Sequence, residues 1–248
     1  MPTGPAVLIL GGTGEARALA RALVDLGVPT LSSLAGRVSR PALPVGAVRS
    51  GGFGGVAGLA EFLRSSATPL VIDATHPFAA TMSEHAVAAS TQAGVPLLRL
   101  LRPGWETDPR AVSWTWVPDI SGACPALAEL GERPFLTTGR QGLAHYRAWA
   151  DRWALVRLVE PPDEAWPNWT ILQRRGPFDH AAERSLFTEY AVDVLVTKNS
   201  GGSLTAAKLD VAAELGVPVV VVDRPAEPAA ERVATVEAAV SWVRARLG

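Results

Sequence analysis

Three times this chain passes from an alanine-rich stretch to a short β-branched run through one tripeptide: Gly27-Val28-Pro29, Gly94-Val95-Pro96 and Gly216-Val217-Pro218. Glycine ends a helix by taking the left-handed conformation, and proline, which cannot continue that helix, starts the strand that follows. A recurring helix-to-strand turn of this kind implies alternating strands and helices, which pack as a parallel sheet covered by helices. Strands are expected near Val7–Leu10, Pro29–Leu34, Ala47–Arg49, Leu70–Ile72 and Leu97–Leu100, with helices over Glu15–Leu26, Gly58–Arg64 and Thr81–Ala93. Arg102 to Pro125 breaks the rhythm with prolines and three tryptophans.

A second series follows. Strands are expected at Phe135–Thr138, Ala154–Val159, Thr170–Gln173, Val194–Thr197 and Val219–Val222. Helices are expected near Leu143–Asp151, Ala181–Tyr190, Leu204–Leu215 and Glu231–Leu247. The fold class is therefore α/β, with two Rossmann-like domains, mainly parallel sheets and an interdomain cleft. The boundary is placed near residue 125, giving domains 1–125 and 126–248. A length of 248 residues accommodates two such domains, and 48% apolar with 19% charged residues provides a substantial core.

The net charge of −1 gives no overall attraction for nucleic acid or acidic membrane. One cysteine, Cys124, excludes an intrachain disulfide and any cysteine cluster for a metal, so no metal site is expected. No apolar run approaches the ~18 residues of a membrane span, and no signal-type segment opens the chain. The expected location is cytoplasmic. Monomer and homodimer are both compatible with the apolar helices.

Chemistry is expected where strands run into polar, glycine-rich turns. Gly11-Gly12-Thr13-Gly14-Glu15 follows the first strand, as a pyrophosphate cradle at a helix N-terminus would. The G-x-G-x-x-G fingerprint is incomplete because Arg17 stands at its third glycine. The second strand ends in Ser32-Ser33-Leu34-Ala35-Gly36-Arg37, and no Asp or Glu occurs between Asp25 and Glu61. A carboxylate there would read the ribose of NAD, whereas Arg37 suits the 2′-phosphate of NADPH or is a solvated surface arginine. Asp73-Ala74-Thr75-His76-Pro77 ends another strand, where His76 can donate a proton or serve structure, and Asp73 can cap a turn.

Thr138, Gly139, Arg140 and Gln141 repeat the strand–turn–helix plan in the second half, and Arg174 and Arg175 close another strand. Thr197-Lys198-Asn199-Ser200-Gly201-Gly202 puts a cation, an amide and hydroxyls before a stretch of helical character from Ser203, an anion-binding arrangement if the helix starts there. Together these cations suit a ligand with several carboxylates. The Tyr-x-x-x-Lys pair, Walker A loop, Gly-x-Ser-x-Gly elbow and His-Glu-x-x-His motif are all absent. The eight tryptophans read as packing residues.

Taken in order, Gly11–Ala16, Leu34–Arg37, Gly51–Gly55, Asp73–Ala79, Arg99–Pro103, Thr137–Gln141, Arg175–Phe178 and Thr197–Gly202 resemble the precorrin-6A reductase (CobK/CbiJ) family. The resemblance spans residue 6 to about residue 225. It implies NADPH-dependent reduction of one carbon–carbon double bond in the tetrapyrrole precorrin-6A, giving precorrin-6B, in cobalamin synthesis. It implies NADPH contacts at Gly11, Gly12, Thr13, Gly14, Glu15, Ser33, Arg37 and Thr75. Carboxylates of the macrocycle would meet Arg102, Thr138, Gly139, Arg140, Gln141, Arg175, Lys198, Asn199, Ser200, Gly201 and Gly202. His76, Lys198 or water would supply the proton, unless the electron-poor macrocycle needs no dedicated acid. A related branch acts on a cobalt-containing ring, and the aerobic substrate is favoured. The competing readings are a non-catalytic NADP-binding sensor and a reductase of a smaller acidic substrate.

Overall fold

The computed structural model describes residues 4–36 and 42–248, so Arg37 lies outside the described residues. The first series runs β1 (Val7–Leu10), α1 (Gly14–Asp25), β2 (Thr30–Leu34), β3 (Ala47–Ser50), α2 (Gly55–Ser65), β4 (Val71–Asp73), α3 (Ala80–Ala93) and β5 (Leu97–Leu100). The second runs β6 (Thr115–Val117), α4 (Ala123–Leu130), β7 (Pro134–Leu136), β8 (Ala154–Leu158), β9 (Trp169–Gln173), α5 (His180–Glu189), β10 (Val194–Lys198), α6 (Ala207–Leu215) and β11 (Val219–Val222). The chain ends with β12 (Glu231–Val233) and α7 (Val236–Leu247).

The strands form two six-stranded sheets, ordered β12-β5-β4-β1-β2-β3 and β6-β11-β10-β7-β8-β9, and every pairing is parallel. Helices cover both faces, so the central strands are apolar throughout: Val-Leu-Ile-Leu in β1 and Val-Val-Val-Val in β11 are wholly buried. The repeated tripeptides act as expected at two of their three sites, where Gly94 and Gly216 sit in the left-handed conformation as C-caps of α3 and α6. Gly27, also left-handed, follows one residue after the Leu26 cap of α1. In α1 the buried residues are Ala16, Leu19, Ala20 and Leu23, one stripe at helical spacing against the sheet. That stripe, β1 and β4 share a core with Ala239, Trp242 and Val243 of α7, while α2 and α3 close the opposite face.

The expected domain boundary requires correction. The two compact units are residues 1–102 with 226–248, and residues 103–225. Each sheet takes its sixth strand from an unexpected part of the chain. Strand β6 follows β5 in sequence but pairs with β11, and β12 follows β11 but pairs with β5. Three further expectations shift. Glu231–Leu247 is not one helix, because Glu231–Val233 is a strand and the helix begins at Val236 after its Thr235 cap. The helix expected from Ser203 or Leu204 begins at Ala207. The helix expected at Leu143–Asp151 is a 3-10 segment over Arg140–Trp149. Six of the eight tryptophans are buried and the other two pack against a core cluster, in keeping with their reading as packing residues.

Candidate active site

Because all strands of a sheet run the same way, the loops after β1, β2, β3, β4 and β5 lie along one edge of the first sheet. Ligands bind at that edge in open α/β folds, beside the point where the strand order reverses, here between β1 and β4. Gly12 has φ of 119° and open space where a Cβ would stand, so the turn exposes backbone to a ligand. Thr13 caps α1: its Oγ1 accepts from the Ala16 N–H at 3.1 Å and donates to the Ala74 carbonyl at 2.8 Å. The hydroxyl of Thr13 therefore shapes the turn and ties it to the end of β4. A small depression opens beside Gly11, Gly12, Arg17, Ser32, Leu34 and Pro44.

Glu15, in the first turn of α1, receives the Arg102 Nη1 at 2.8 Å. The resemblance assigns these two residues to different ligands, yet they form one ion pair within one unit. The pair offsets the negative charge that Glu15 would present to a phosphate at this helix start. Thr75 is held from behind, since both its N–H and its Oγ1 donate to Asp73 Oδ1, at 3.1 and 2.7 Å. Asp73 is buried and receives Arg99 Nε at 3.1 Å on its other oxygen, and Arg99 also pairs with Glu227. Asp73 thus fixes the turn, the role expected of it. His76 Nδ1 accepts from the Phe78 N–H at 3.2 Å, and the His76 and Phe78 rings lie 5.8 Å apart.

Ser33, next to last in β2, is in register with Arg49 of β3, and Arg49 Nη1 donates to Ser33 Oγ at 2.8 Å. Sequence reasoning missed Arg49. The available signal was a third arginine, with Arg37 and Arg40, inside the stretch that lacks carboxylates.

The loops after β7, β9 and β10 likewise share one edge of the second sheet. Thr138 is buried, and its Oγ1 donates to Tyr146 Oη at 3.3 Å; burial pushes the Tyr146 phenol above its usual value. Gly139 takes φ of 82° before Arg140, whose Nη1 pairs with Asp163 at 3.0 Å. Gln141 and Arg175 are exposed.

The 197–202 loop is not a helix N-terminus, because α6 starts five residues after Gly202. Its form comes from tertiary anchors. Asn199 is fully buried: its Oδ1 accepts from the Trp105 N–H at 2.9 Å, its Nδ2 donates to Glu106, and its N–H donates to the Val222 carbonyl at 2.8 Å. Arg224 Nε donates to the Asn199 carbonyl at 3.0 Å. A Cβ on Gly201, which has φ of 65°, would meet the Pro103 carbonyl oxygen at 2.0 Å, so only glycine fits. This frame holds Lys198 at the end of β10, where burial lowers the ammonium pKa from its ordinary value. A cation in that state releases its proton more readily and gains more from an arriving carboxylate.

The fold and these loops define a class: an α/β protein with two Rossmann-like units, one bearing a nucleotide-type glycine turn and the other a set of cationic loops. The family model described as "Precorrin-6x reductase CbiJ/CobK" matches residues 6–244, and the chain belongs to that family. A Rhodococcus erythropolis protein named precorrin-6A reductase is 51% identical over 240 residues, covering 96% of each chain. A Salmonella typhimurium protein named cobalt-precorrin-6A reductase is 30% identical over 236 residues, covering 88% of this chain and 87% of that one. The solved structure titled "CobK precorrin-6A reductase" superposes with a TM-score of 0.92 at 41% identity, covering 98% of this chain and 97% of that one.

Proposed function

We infer that this protein reduces a carbon–carbon double bond of precorrin-6A in cobalamin synthesis, with NADPH as the reductant. The family match over residues 6–244 carries the reaction. The metal-free ring is favoured over the cobalt-containing one by the higher identity to the relative named for it, 51% against 30%.

The residues fit the cofactor. Gly12 leaves open space between Gly11 and Gly14 at the start of α1, Thr13 fixes the turn, and Ser33 and Thr75 present hydroxyls on the same sheet edge. Arg37 and the absence of carboxylates between Asp25 and Glu61 favour a phosphorylated ribose. NADPH supplies the hydride when bound. In the second unit, Arg140, Gln141, Arg175, Lys198 and Ser200 receive the acetate and propionate groups of the macrocycle. Thr138, Gly139, Asn199, Gly201 and Gly202 shape the loops that present them. Arg102, also expected to meet the macrocycle, pairs with Glu15. Catalysis on this reading is chiefly positioning and charge stabilisation. Lys198 holds the proton best suited to transfer, with His76 or water in reserve. The enzyme works in the cytoplasm as a monomer or homodimer.

The test mixes purified protein with NADPH and intact precorrin-6A and follows NADPH absorbance and product mass. The expected product carries two more hydrogens and forms in step with NADPH oxidation. NADPH binding without substrate-dependent oxidation would turn the reading into that of a sensor. Oxidation only with the cobalt-containing ring would move the substrate to the other branch.

A further inference from the structure

The outermost strand of the first sheet carries a preformed cation that the glycine turn does not account for. Arg49 sits near the end of β3, and Nη1 donates to Ser33 Oγ at 2.8 Å and to the Gly51 carbonyl at 3.1 Å, while Nη2 donates to the Gly52 carbonyl at 3.0 Å. The guanidinium centre lies 3.8 Å from the centroid of the Phe53 ring, so one face of the plane is covered. The glycines after β3 make this possible. Gly51 and Gly54, with φ of 109° and 81°, curl the loop so that two carbonyls and an aromatic ring converge on one arginine.

That accounts for three of the five guanidinium N–H protons. The Nε proton and one Nη2 proton have no acceptor among the described residues. Ser33, accepting from Arg49, keeps its own hydroxyl proton to donate. Ser33 lies one residue before the end of β2, the strand whose end reads the cofactor ribose in this class of fold. The segment contains no carboxylate that would already neutralise Arg49.

We propose that Arg49, oriented by Ser33 and Phe53, binds the 2′-phosphate of NADPH and sets the preference for NADPH over NADH. This rests on the NADPH reading above and adds to it a residue whose geometry is fixed before the cofactor arrives. A guanidinium held flat by an aromatic ring and aimed by three hydrogen bonds loses little freedom on meeting a phosphate, which it matches bidentately.

Titration calorimetry with 2′,5′-ADP and 5′-AMP separates the possibilities, using the wild type, Arg49→Gln, Arg49→Lys and Ser33→Ala. The wild type is expected to prefer 2′,5′-ADP. Arg49→Gln should lose about 10- to 100-fold in affinity for it, the range of a charge-assisted hydrogen bond, with 5′-AMP binding changed less than about threefold. Arg49→Lys, with its charge but not its fork, should fall between. The ratio of kcat/KM for NADPH and NADH should collapse in parallel. A wild-type ratio retained in Arg49→Gln overturns the proposal, as does an equal loss for both nucleotides, which would make Arg49 a brace for the glycine loop. No 2′,5′-ADP preference in the wild type would instead overturn the NADPH reading itself. Should Arg49→Gln fail to fold, Ser33→Ala reads the same ratio with the arginine present but unaimed, and an unchanged ratio there counts against the proposal.

Discussion

Lys208 is almost completely buried in α6, where its Nζ donates to the Thr205 carbonyl and lies 5.2 Å from the centroid of the Trp105 ring. Burial, reinforced by Arg157 and opposed by Glu183, pushes its pKa down to about 7 from an ordinary 10.5. Between those values the unfolded chain binds more protons than the folded one, so stability rises with pH across that window and the full burial penalty applies below it. Lys208→Met abolishes this slope. Urea midpoints at pH 7, 8.5 and 10 should show the wild type gaining on the variant as pH rises. A constant difference would mean that Lys208 titrates normally. At Lys198 the question is the proton. Lys198→Arg keeps the charge but cannot give up a proton near neutral pH. It should therefore retain KM within about threefold and lose about 10²-fold or more in kcat, as expected of a lost general acid. Lys198→Ala should lose in both parameters. Wild-type kcat in Lys198→Arg would hand the proton to His76 or water.

The elements most legible in the sequence were those whose own residues decide their form. Strand β1 is four buried aliphatics, α1 has a capping threonine and an apolar stripe, and α3 and α6 stop at left-handed glycines. Elements decided by distant partners were not legible. Glu-Arg-Val in β12 is an edge strand with polar residues, held by pairing with Leu98–Leu100, and beside the alanines of α7 it reads as more helix. The same limit applied at the site. The ion pairs Asp73–Arg99 and Arg157–Glu183 are buried, but each joins residues 26 apart in sequence whose individual patterns look like ordinary polar positions. The 197–202 loop was recognised by composition, yet its geometry depends on Trp105, Glu106, Pro103 and Arg224. Gly201→Ala tests that dependence. The added methyl meets the Pro103 carbonyl in a backbone conformation alanine disfavours, so a cost of about 1–3 kcal/mol in unfolding free energy is expected. Activity should drop further than stability alone explains, because Lys198 is displaced. A variant with unchanged urea midpoint and turnover would show that the loop tolerates rearrangement.

At the scale of the whole chain, the boundary placed at residue 125 followed a change in rhythm, but the compact units follow strand pairing. Strands β6 to β11 all fall within residues 103–225, and so does the core that unites Trp105, Ala111 and Trp114 with Phe135, Leu195 and Val221. A fragment beginning at residue 126 loses β6 and those three residues, leaving the β11 edge unpaired and part of the core uncovered. The first unit has the opposite problem. Its sixth strand and α7 come from the end of the chain, and Ala239, Trp242 and Val243 pack on the same core as Leu98 and Leu100. Fragment 103–225 should therefore fold alone, with a single cooperative urea transition and α/β circular dichroism. Fragment 126–248 should not. Fragment 1–102 should become protease-resistant only when residues 226–248 are joined to it through a flexible linker. Cooperative folding of 126–248, or resistance of 1–102 without the C-terminal segment, would show that the exchanged strands are accessories to units complete without them.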